Sequence, residues 1–419
     1  MKLLLVSLVM FVLGSVALAS QITTAAEQRK IVEELSGVAQ LGIGGLPSVI
    51  SQRFSDSPEI FTAAEYLMTK YRENGIEAAI LEYNPQDAFP YYYQNTDETY
   101  RSYFRHLTPM LTAEFNGYCD GTLSPEKKGA VIKRLNRVGI DENLFCQTPV
   151  LDRVETYIRS TVDHTTLITK QMIERRALAT WPNVLAIVET GKGVEETGRR
   201  PLCVIGAHLD SVARDGGGRG PIVSPATLAP GADDNGSGTA AVVTLARALR
   251  DWVKIQNLNL PCDLAFAHFS GEEEGLLGSL VFVHQQMNRP VKWMVNFDMI
   301  AYNGGPQPKM NVGYDARFGR SLAEAFGGSN EKIEAVIVER ETFIYSSDQI
   351  AFWGIGVPAV SISEQACSNA SCNDPFKYFN PNLHTSKDTV DILDFDYAAA
   401  IIDHSYGGFK KLLSTYKSN

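Results

Sequence analysis

The stretch LCVIGAHLD, residues 202–210, opens as an unbroken apolar run and closes on a histidine and a carboxylate. Such a run reads as a strand buried on both faces, the kind that lies inside a parallel sheet. Extended backbone alternates its side chains, so His208 and Asp210 emerge on the same side at the strand's carboxyl end.

The same rhythm continues outward. The glycine-rich turn PGADDNGSG, residues 230–238, runs into a helix over 236–252 with Ala240, Val243, Ala246 and Leu249 along one face. Residues 183–188, 263–269, 293–297, 333–338 and 357–362 read as further strands, and 278–287 and 396–416 as helices. Upstream, 54–83 reads as a helix with Phe61, Ala64, Leu67 and Tyr71 on one face, stopped near Gly75 and followed by a strand. Buried strands alternating with helices imply an α/β fold with a mostly parallel, mixed central sheet and helices on both faces. In such sheets the working site lies beyond the carboxyl ends of the strands.

Residues 85–180 break the rhythm. They carry Phe89, Tyr91, Tyr92, Tyr93, Tyr100, Tyr103 and Phe104, two cysteines and helical patches such as 125–138. This reads as an inserted irregular and helical subdomain packed by its aromatics, with shaping of substrate access as the lesser reading. With 419 residues, 44% of them hydrophobic, the chain can bury a large core, and one domain over 20–419 with this insertion is the simplest organisation.

The opening MKLLLVSLVMFVLGSVALAS places Lys2 before an apolar run and ends on Ala17-Leu18-Ala19, so 1–19 reads as a cleaved export signal. The run from Leu3 to Val16 is short for a span of roughly 20 residues, and no later segment is apolar for long enough to cross a bilayer. A periplasmic or extracellular location is expected, and the even cysteine count fits an oxidising compartment. Cys367 and Cys372 could close a small loop, and Cys119 and Cys146 could staple the insertion; Cys203 and Cys262, at two strand starts, read as buried thiols. The net charge of −10, without clustered Lys and Arg, argues against nucleic acid as a partner. Nothing indicates an oligomer.

Acids and imidazoles recur where strands end. Asp210 is placed to orient His208 rather than to bind a metal itself, because a carboxylate on the far ring N–H fixes the tautomer of a ligand histidine. Asp233 and Asp234 open a helix, where acids are common for dipole reasons alone, and Asn235 or Ser237 can cap it. The triplet Glu272-Glu273-Glu274 follows a buried strand directly, and its mutual repulsion makes sense if cations offset it and one carboxyl keeps a raised pKa for proton transfer. Asp298 ends another strand and His384 lies in a late loop. Two imidazoles and at least three carboxylates in such loops suit zinc. By contrast His268 lies within a strand and reads as a packed core or supporting histidine, while His106, His164, His284 and His404 lack a neighbouring acid cluster. Gly216-Gly217-Gly218 is not a phosphate loop, since no Lys-Ser or Lys-Thr follows it.

The stretches AHLDS, PGADDNGSG, SGEEEGLLGS, NFDMI, YSSDQIAFWGIGVPA and LHTSKDT occur in the order seen in the M28 zinc aminopeptidases, and this chain resembles that family over about 182–415. The resemblance is loose over 54–83 and absent over 85–180. It implies a zinc-exopeptidase-like fold holding two zinc ions, bridged by Asp234, with His208 and Asp298 completing one and Glu273 and His384 the other. It implies Glu272 as general base and Tyr345 as donor to the substrate oxyanion, with Asp210, Ser347 and Asp388 around the ligands or substrate. It also suggests a cis peptide between Asp234 and Asn235. The expected activity is hydrolysis at the free N-terminus of peptides by a hydroxide shared between the ions. Rival readings within the superfamily are a carboxypeptidase, a dipeptidase or a glutaminyl cyclase; a carboxypeptidase would want a cation near the site, and the sequence places none. A non-catalytic binding module of the same fold predicts broken ligands, and all five are present.

Overall fold

Every residue of Leu202–His208 and of Asp263–Phe269 is buried, and these two strands lie side by side in parallel near the middle of a large sheet. The computed structural model describes residues 22–43, 46–91, 108, 111–174, 180–191, 200–214, 228–317, 319–339, 346–365 and 377–414. The expected leader over 1–19, Tyr345, His106 and the Cys367 and Cys372 pair lie outside the described residues.

A short hairpin, β1 (Leu41–Ile43) and β2 (Leu46–Ser48), precedes the main strands. These are β3 (Glu77–Tyr83), β4 (Trp181–Val188), β5 (Leu202–His208), β6 (Asp263–Phe269), β7 (Val291–Phe297), β8 (Lys309–Tyr314), β9 (Gly328–Ser329), β10 (Glu334–Glu339) and β11 (Ala359–Glu364). Among the described residues they form one nine-stranded sheet in the order β3-β4-β6-β5-β7-β11-β8-β10-β9. The central run β6-β5-β7-β11 is parallel, whereas β3, β4, β8 and β9 each enter antiparallel contacts, so the sheet is mixed.

Alternation sorts the core. Cys203, Ile205 and Ala207 of β5, with Leu264 and Phe266 of β6, face a layer built from the helices Ala25–Leu35, Glu59–Glu73, Gly238–Gln256 and Phe395–Ser414. Leu202 and Val204, with Ala265, Ala267 and Phe269, face the opposite layer, which includes Leu277–Val281 and Gln349–Gly354. Each fully buried Leu, Ile, Val or Phe contributes about 1.5–3 kcal/mol, so this two-sided burial holds the strand ends in fixed register.

Several elements were not anticipated, among them the β1–β2 hairpin, the helices Arg320–Phe326 and Gln349–Gly354, the helix Ala25–Leu35 and strand β8. The helix Ala25–Leu35 buries Gln28, Ile31, Val32 and Leu35 as a narrow stripe, is capped by Thr24 through the Glu27 N–H, and is tied to Thr244 by the buried Gln28 amide at 2.6 Å. Strand β8 reads KMNVGY, whose polar and glycine positions hide it from a search for apolar runs.

The segment between β3 and β4, expected as an insertion, contains the helices Pro125–Arg137, Glu142–Phe145 and Val150–Glu174. Its own small core is centred on Phe115, with Phe145 edge-on at 4.8 Å and Tyr157 at 5.4 Å. Of the aromatics expected to pack it, Phe89 and Tyr91 instead lean on the main sheet's second layer, with Tyr91 stacked on His284 at 3.8 Å; Tyr92, Tyr93, Tyr100, Tyr103 and Phe104 lie outside the described residues. A Cys119–Cys146 disulfide staples the insertion as anticipated. Cys203 and Cys262 correct the reading as thiols, for they form a second disulfide. Parallel pairing of β5 with β6 brings the two strand starts together, which separate sequence positions could not reveal.

Candidate metal centre

His208 is the last residue of β5 and Asp298 follows β7 directly. Glu273 sits in the turn after β6. Because β6, β5 and β7 are adjacent and parallel, their carboxyl ends converge on one spot. Asp234 comes from the turn before the helix Gly238–Gln256, and His384 from the late loop. All five side chains meet. His208 Nε2 lies 3.0 Å from Asp234 Oδ1 and 3.4 Å from Asp298 Oδ1. His384 Nε2 lies 3.1 Å from Asp234 Oδ2 and 3.1 Å from Glu273 Oε2. The two oxygens of one carboxylate thus serve two separate imidazoles.

The turn that presents Asp234 is held from several directions. Gly231 takes a left-handed φ of 51°, and a Cβ there would strike the Asp234 carbonyl and Ser211. The Asp388 carboxylate accepts the main-chain N–H groups of Asp233 at 3.2 Å and Asp234 at 3.0 Å. Asn235 donates to the Phe297 carbonyl at 2.9 Å and accepts the Gly238 N–H at 3.0 Å and the Met299 N–H at 3.3 Å. Asn235 therefore caps the helix and also ties the Asp234 turn to the strand end that carries Asp298. The Asp234–Asn235 peptide is cis.

Asp210 lies beneath the acid triplet. Its carboxylate accepts the N–H groups of Glu272 at 3.3 Å and Glu273 at 3.1 Å and lies 3.2 Å from the Ser55 hydroxyl, which is also 2.9 Å from Glu274. His208 Nδ1 is closer to the main-chain carbonyl of Asp210, at 3.1 Å, than to its carboxylate, at 3.5 Å. Donation from Nδ1 to that carbonyl leaves Nε2 free to face the acids. Ser347 is buried and accepts from the Asn296 amide at 2.9 Å. Its neighbour Asp348 is fully buried, and burial, with Asp210 and Asp298 nearby and His208 opposing, pushes it up to about 7. Arg214 is the cation that the sequence did not place: its Nη2 donates to the Glu273 carbonyl at 2.6 Å and lies 3.6 Å from the Glu273 carboxylate. His268 stands apart, fully buried with Nε2 2.7 Å from the Tyr71 hydroxyl and held by burial at about 3, hence neutral.

Burial favours neutral rings, yet the acids around both histidines prevail. Asp298 and Glu272 hold His208 well above its ordinary range, and Glu273 and Asp234 bring His384 to about 10. Asp234 is held well below the usual carboxylate range by the two imidazoles, against its burial. Glu272, Glu274 and Glu364 are pushed well above theirs by burial and by neighbouring acids. Without metal, the folded chain keeps a proton on His384 that the unfolded chain loses above 6.5, and keeps carboxyl protons that the unfolded chain loses above 4.5. Both sets stabilise at low pH and fade as pH rises through the raised values. The melting temperature of the chelated chain is therefore expected to fall from pH 6 to pH 9, and saturating zinc to offset the fall, because binding expels the ring protons. Calorimetric melts across that window check this; a chelated chain that gains stability toward pH 9 would contradict it.

The donors form two sets, His208, Asp234 and Asp298, and Asp234, Glu273 and His384, each with ligating atoms within 4.8 Å of one another. Glu273 Oε1 and Asp298 Oδ1 are buried without a hydrogen-bond donor. One nitrogen and two carboxylate oxygens per set fit zinc with an open coordination position.

A family model, peptidase family M28, matches residues 183–405. The chain is 33% identical over 214 residues to the probable leucine aminopeptidase 1 of Trichophyton verrucosum, covering 50% of this chain and 53% of that protein. It is 31% identical over 212 residues to leucine aminopeptidase 1 of Trichophyton rubrum, again 50% of this chain and 53% of the relative. The chain thus spans about half the length of the curated relatives it matches. Among solved structures, the LapA aminopeptidase of Legionella pneumophila superposes with a TM-score of 0.52 at 15% identity, over 93% of this chain and 71% of that one. A glutaminyl cyclase of Porphyromonas gingivalis superposes with a TM-score of 0.53 at 12% identity, over 94% and 99%. These structures establish the zinc-exopeptidase-like fold, and because a peptidase and a cyclase share it, the fold does not choose between the reactions.

Proposed function

The chain belongs to peptidase family M28, and from that premise we propose that it is a two-zinc aminopeptidase that releases the N-terminal residue of peptides. The observation that carries this reading is the division of Asp234, with Oδ1 toward His208 and Oδ2 toward His384. His208, Asp234 and Asp298 would hold one zinc, and Asp234, Glu273 and His384 the other. When bound, zinc supplies Lewis acidity toward the scissile carbonyl, a lowered pKa for water and positive charge that draws down neighbouring carboxyl pKa values.

The chain's own groups do the rest. Glu272, the partly exposed member of the triplet, takes a proton from the attacking water and returns it to the leaving amine. Asp210 holds the Glu272 and Glu273 main chain in place through its two N–H bonds. Tyr345, outside the described residues, takes the role of oxyanion donor on the strength of the family resemblance alone. The acids of both sets favour a substrate's amino end over a terminal carboxylate, and Ser347, buried against Asn296, is assigned near that end on the strength of the family resemblance alone. Arg214 Nη2 donates to the Glu273 carbonyl and lies beside the Glu273 carboxylate, so the charge of this cation is offset in part within the ligand set.

Export is part of the proposal. Residues 1–19 would be removed as a signal, leaving 20–419 as one peptidase domain with the insertion at about 85–180. Two disulfides support an oxidising compartment, and no helix among the described residues is long and apolar enough to cross a membrane.

One panel tests the reading: purified chain lacking residues 1–19, with and without chelator, against free, N-acetylated and N-terminal glutaminyl peptides. Zinc-dependent release of the first residue from free amines alone is expected. Equal cleavage of acetylated peptides would make it an endopeptidase, and ring closure of the glutaminyl peptide without hydrolysis would make it a cyclase.

A further inference from the structure

Arg53 stands just ahead of the helix Glu59–Glu73, outside both ligand sets, and is 1% exposed. Buried arginines are usually paired with an acid. The hydrogen bonds of this guanidinium instead end on main-chain carbonyls. Nε donates to Leu209 at 2.7 Å, Nη1 to Leu35 and Pro230 at 2.7 Å each, and Nη2 to Gly231 at 2.7 Å. Its backbone is fastened too: the Arg53 N–H donates to Ser211 Oγ at 3.0 Å, the Ser211 N–H returns to the Arg53 carbonyl at 3.2 Å, and Ser211 Oγ donates to the Ala229 carbonyl at 2.7 Å.

The owners of those carbonyls matter. Leu209 lies between His208 and Asp210, and 229–231 lead into Asp233 and Asp234. A planar fork with fixed donor directions makes a rigid gauge between two loops, which a flexible ammonium cannot reproduce. We propose that Arg53, with Ser211, is a positioning residue that sets the spacing of the His208 loop against the Asp234 turn, and so governs the grip of one ligand set, His208, Asp234 and Asp298, on its ion. This rests on the two-zinc reading above. A merely structural arginine would weaken both sets together, or neither while the fold survives. The gauge bonds directly to the carbonyl beside His208, whereas it reaches Glu273 and His384 only at one remove, through shared Asp234, through the Asp210 carboxylate on the Glu273 N–H at 3.1 Å and through the Arg214 N–H on the His384 carbonyl at 2.8 Å, so it acts on the His208 set the more strongly.

The test is cobalt(II) titration, followed by absorption spectroscopy and calorimetry, of the wild type, Arg53→Lys and Ser211→Ala. His208→Ala and His384→Ala assign each binding step to its set, and circular dichroism monitors the fold. The wild type is expected to bind in two steps. Both variants should weaken the step that His208→Ala abolishes by about 10- to 100-fold, Arg53→Lys the more strongly, and shift the other step far less. Fewer than two steps in the wild type would sink the two-zinc reading, and this proposal with it. Two normal steps in the wild type, with equal weakening of both or unchanged affinity in the folded variants, would overturn the positioning role alone. Should Arg53→Lys not fold, Ser211→Ala, which keeps the guanidinium, decides by the same criterion.

Discussion

Glu272→Gln is expected to lower turnover by about two to four orders of magnitude while both zinc ions remain bound. The amide keeps the size of the side chain but cannot take a proton from water at neutral pH. The backbone should not move, because the Glu272 N–H, and not its carboxylate, meets Asp210 at 3.3 Å. Glu272 is also the member of the triplet that is partly exposed, whereas Glu273 and Glu274 are buried, so it alone can reach an incoming substrate. Burial and the acids Glu273, Asp298 and Asp348 push its carboxyl up, in the direction a general base needs. A loss of that size corresponds to about 3–5.5 kcal/mol of barrier. Zinc content by atomic emission alongside steady-state rates checks it. Metal lost together with activity would move Glu272 into the ligand set.

The site was legible in the sequence because its side chains sit at the ends of short, strongly apolar strands. Period-two alternation fixed the side on which His208 and Asp210 emerge, and parallel β6, β5 and β7 then had to bring Glu273, His208 and Asp298 together. What alternation could not give was the atom that meets His208 Nδ1. The main-chain carbonyl of Asp210 does so at 3.1 Å, ahead of the carboxylate at 3.5 Å, which is free to receive the N–H groups of the acid triplet.

The parts that stayed hidden share a cause. Arg53 and Ser55 act through groups far off in sequence, such as the carbonyls of Pro230 and Gly231 or the carboxylates of Asp210 and Glu274, and the segment SQRFSDSP carries no local mark of those partners. The Cys203–Cys262 bond follows from strand register, which is a tertiary fact. The helix Ala25–Leu35 buries a stripe so narrow, and partly polar through Gln28, that its periodicity does not stand out. Local periodicity finds elements and their faces; it does not find partners that only packing brings together.

Asp234→Ala should leave the chain unable to retain either ion, the largest effect on composition that a single substitution can have here. Both oxygens are engaged in opposite directions, Oδ1 at 3.0 Å from His208 and Oδ2 at 3.1 Å from His384. Their removal leaves His208 with Asp298 and His384 with Glu273, two protein ligands per ion where catalytic zinc sites use three. Loss of the fold is not expected to intervene. Asp388 grips the main-chain N–H of residue 234 whatever its side chain, and Asn235 keeps its bonds to Phe297 and Met299. A native circular dichroism spectrum with zinc near zero per chain after dialysis is thus the anticipated pair of results. Two zinc ions retained per chain would place the bridge on another carboxylate and dissolve the assignment of both sets.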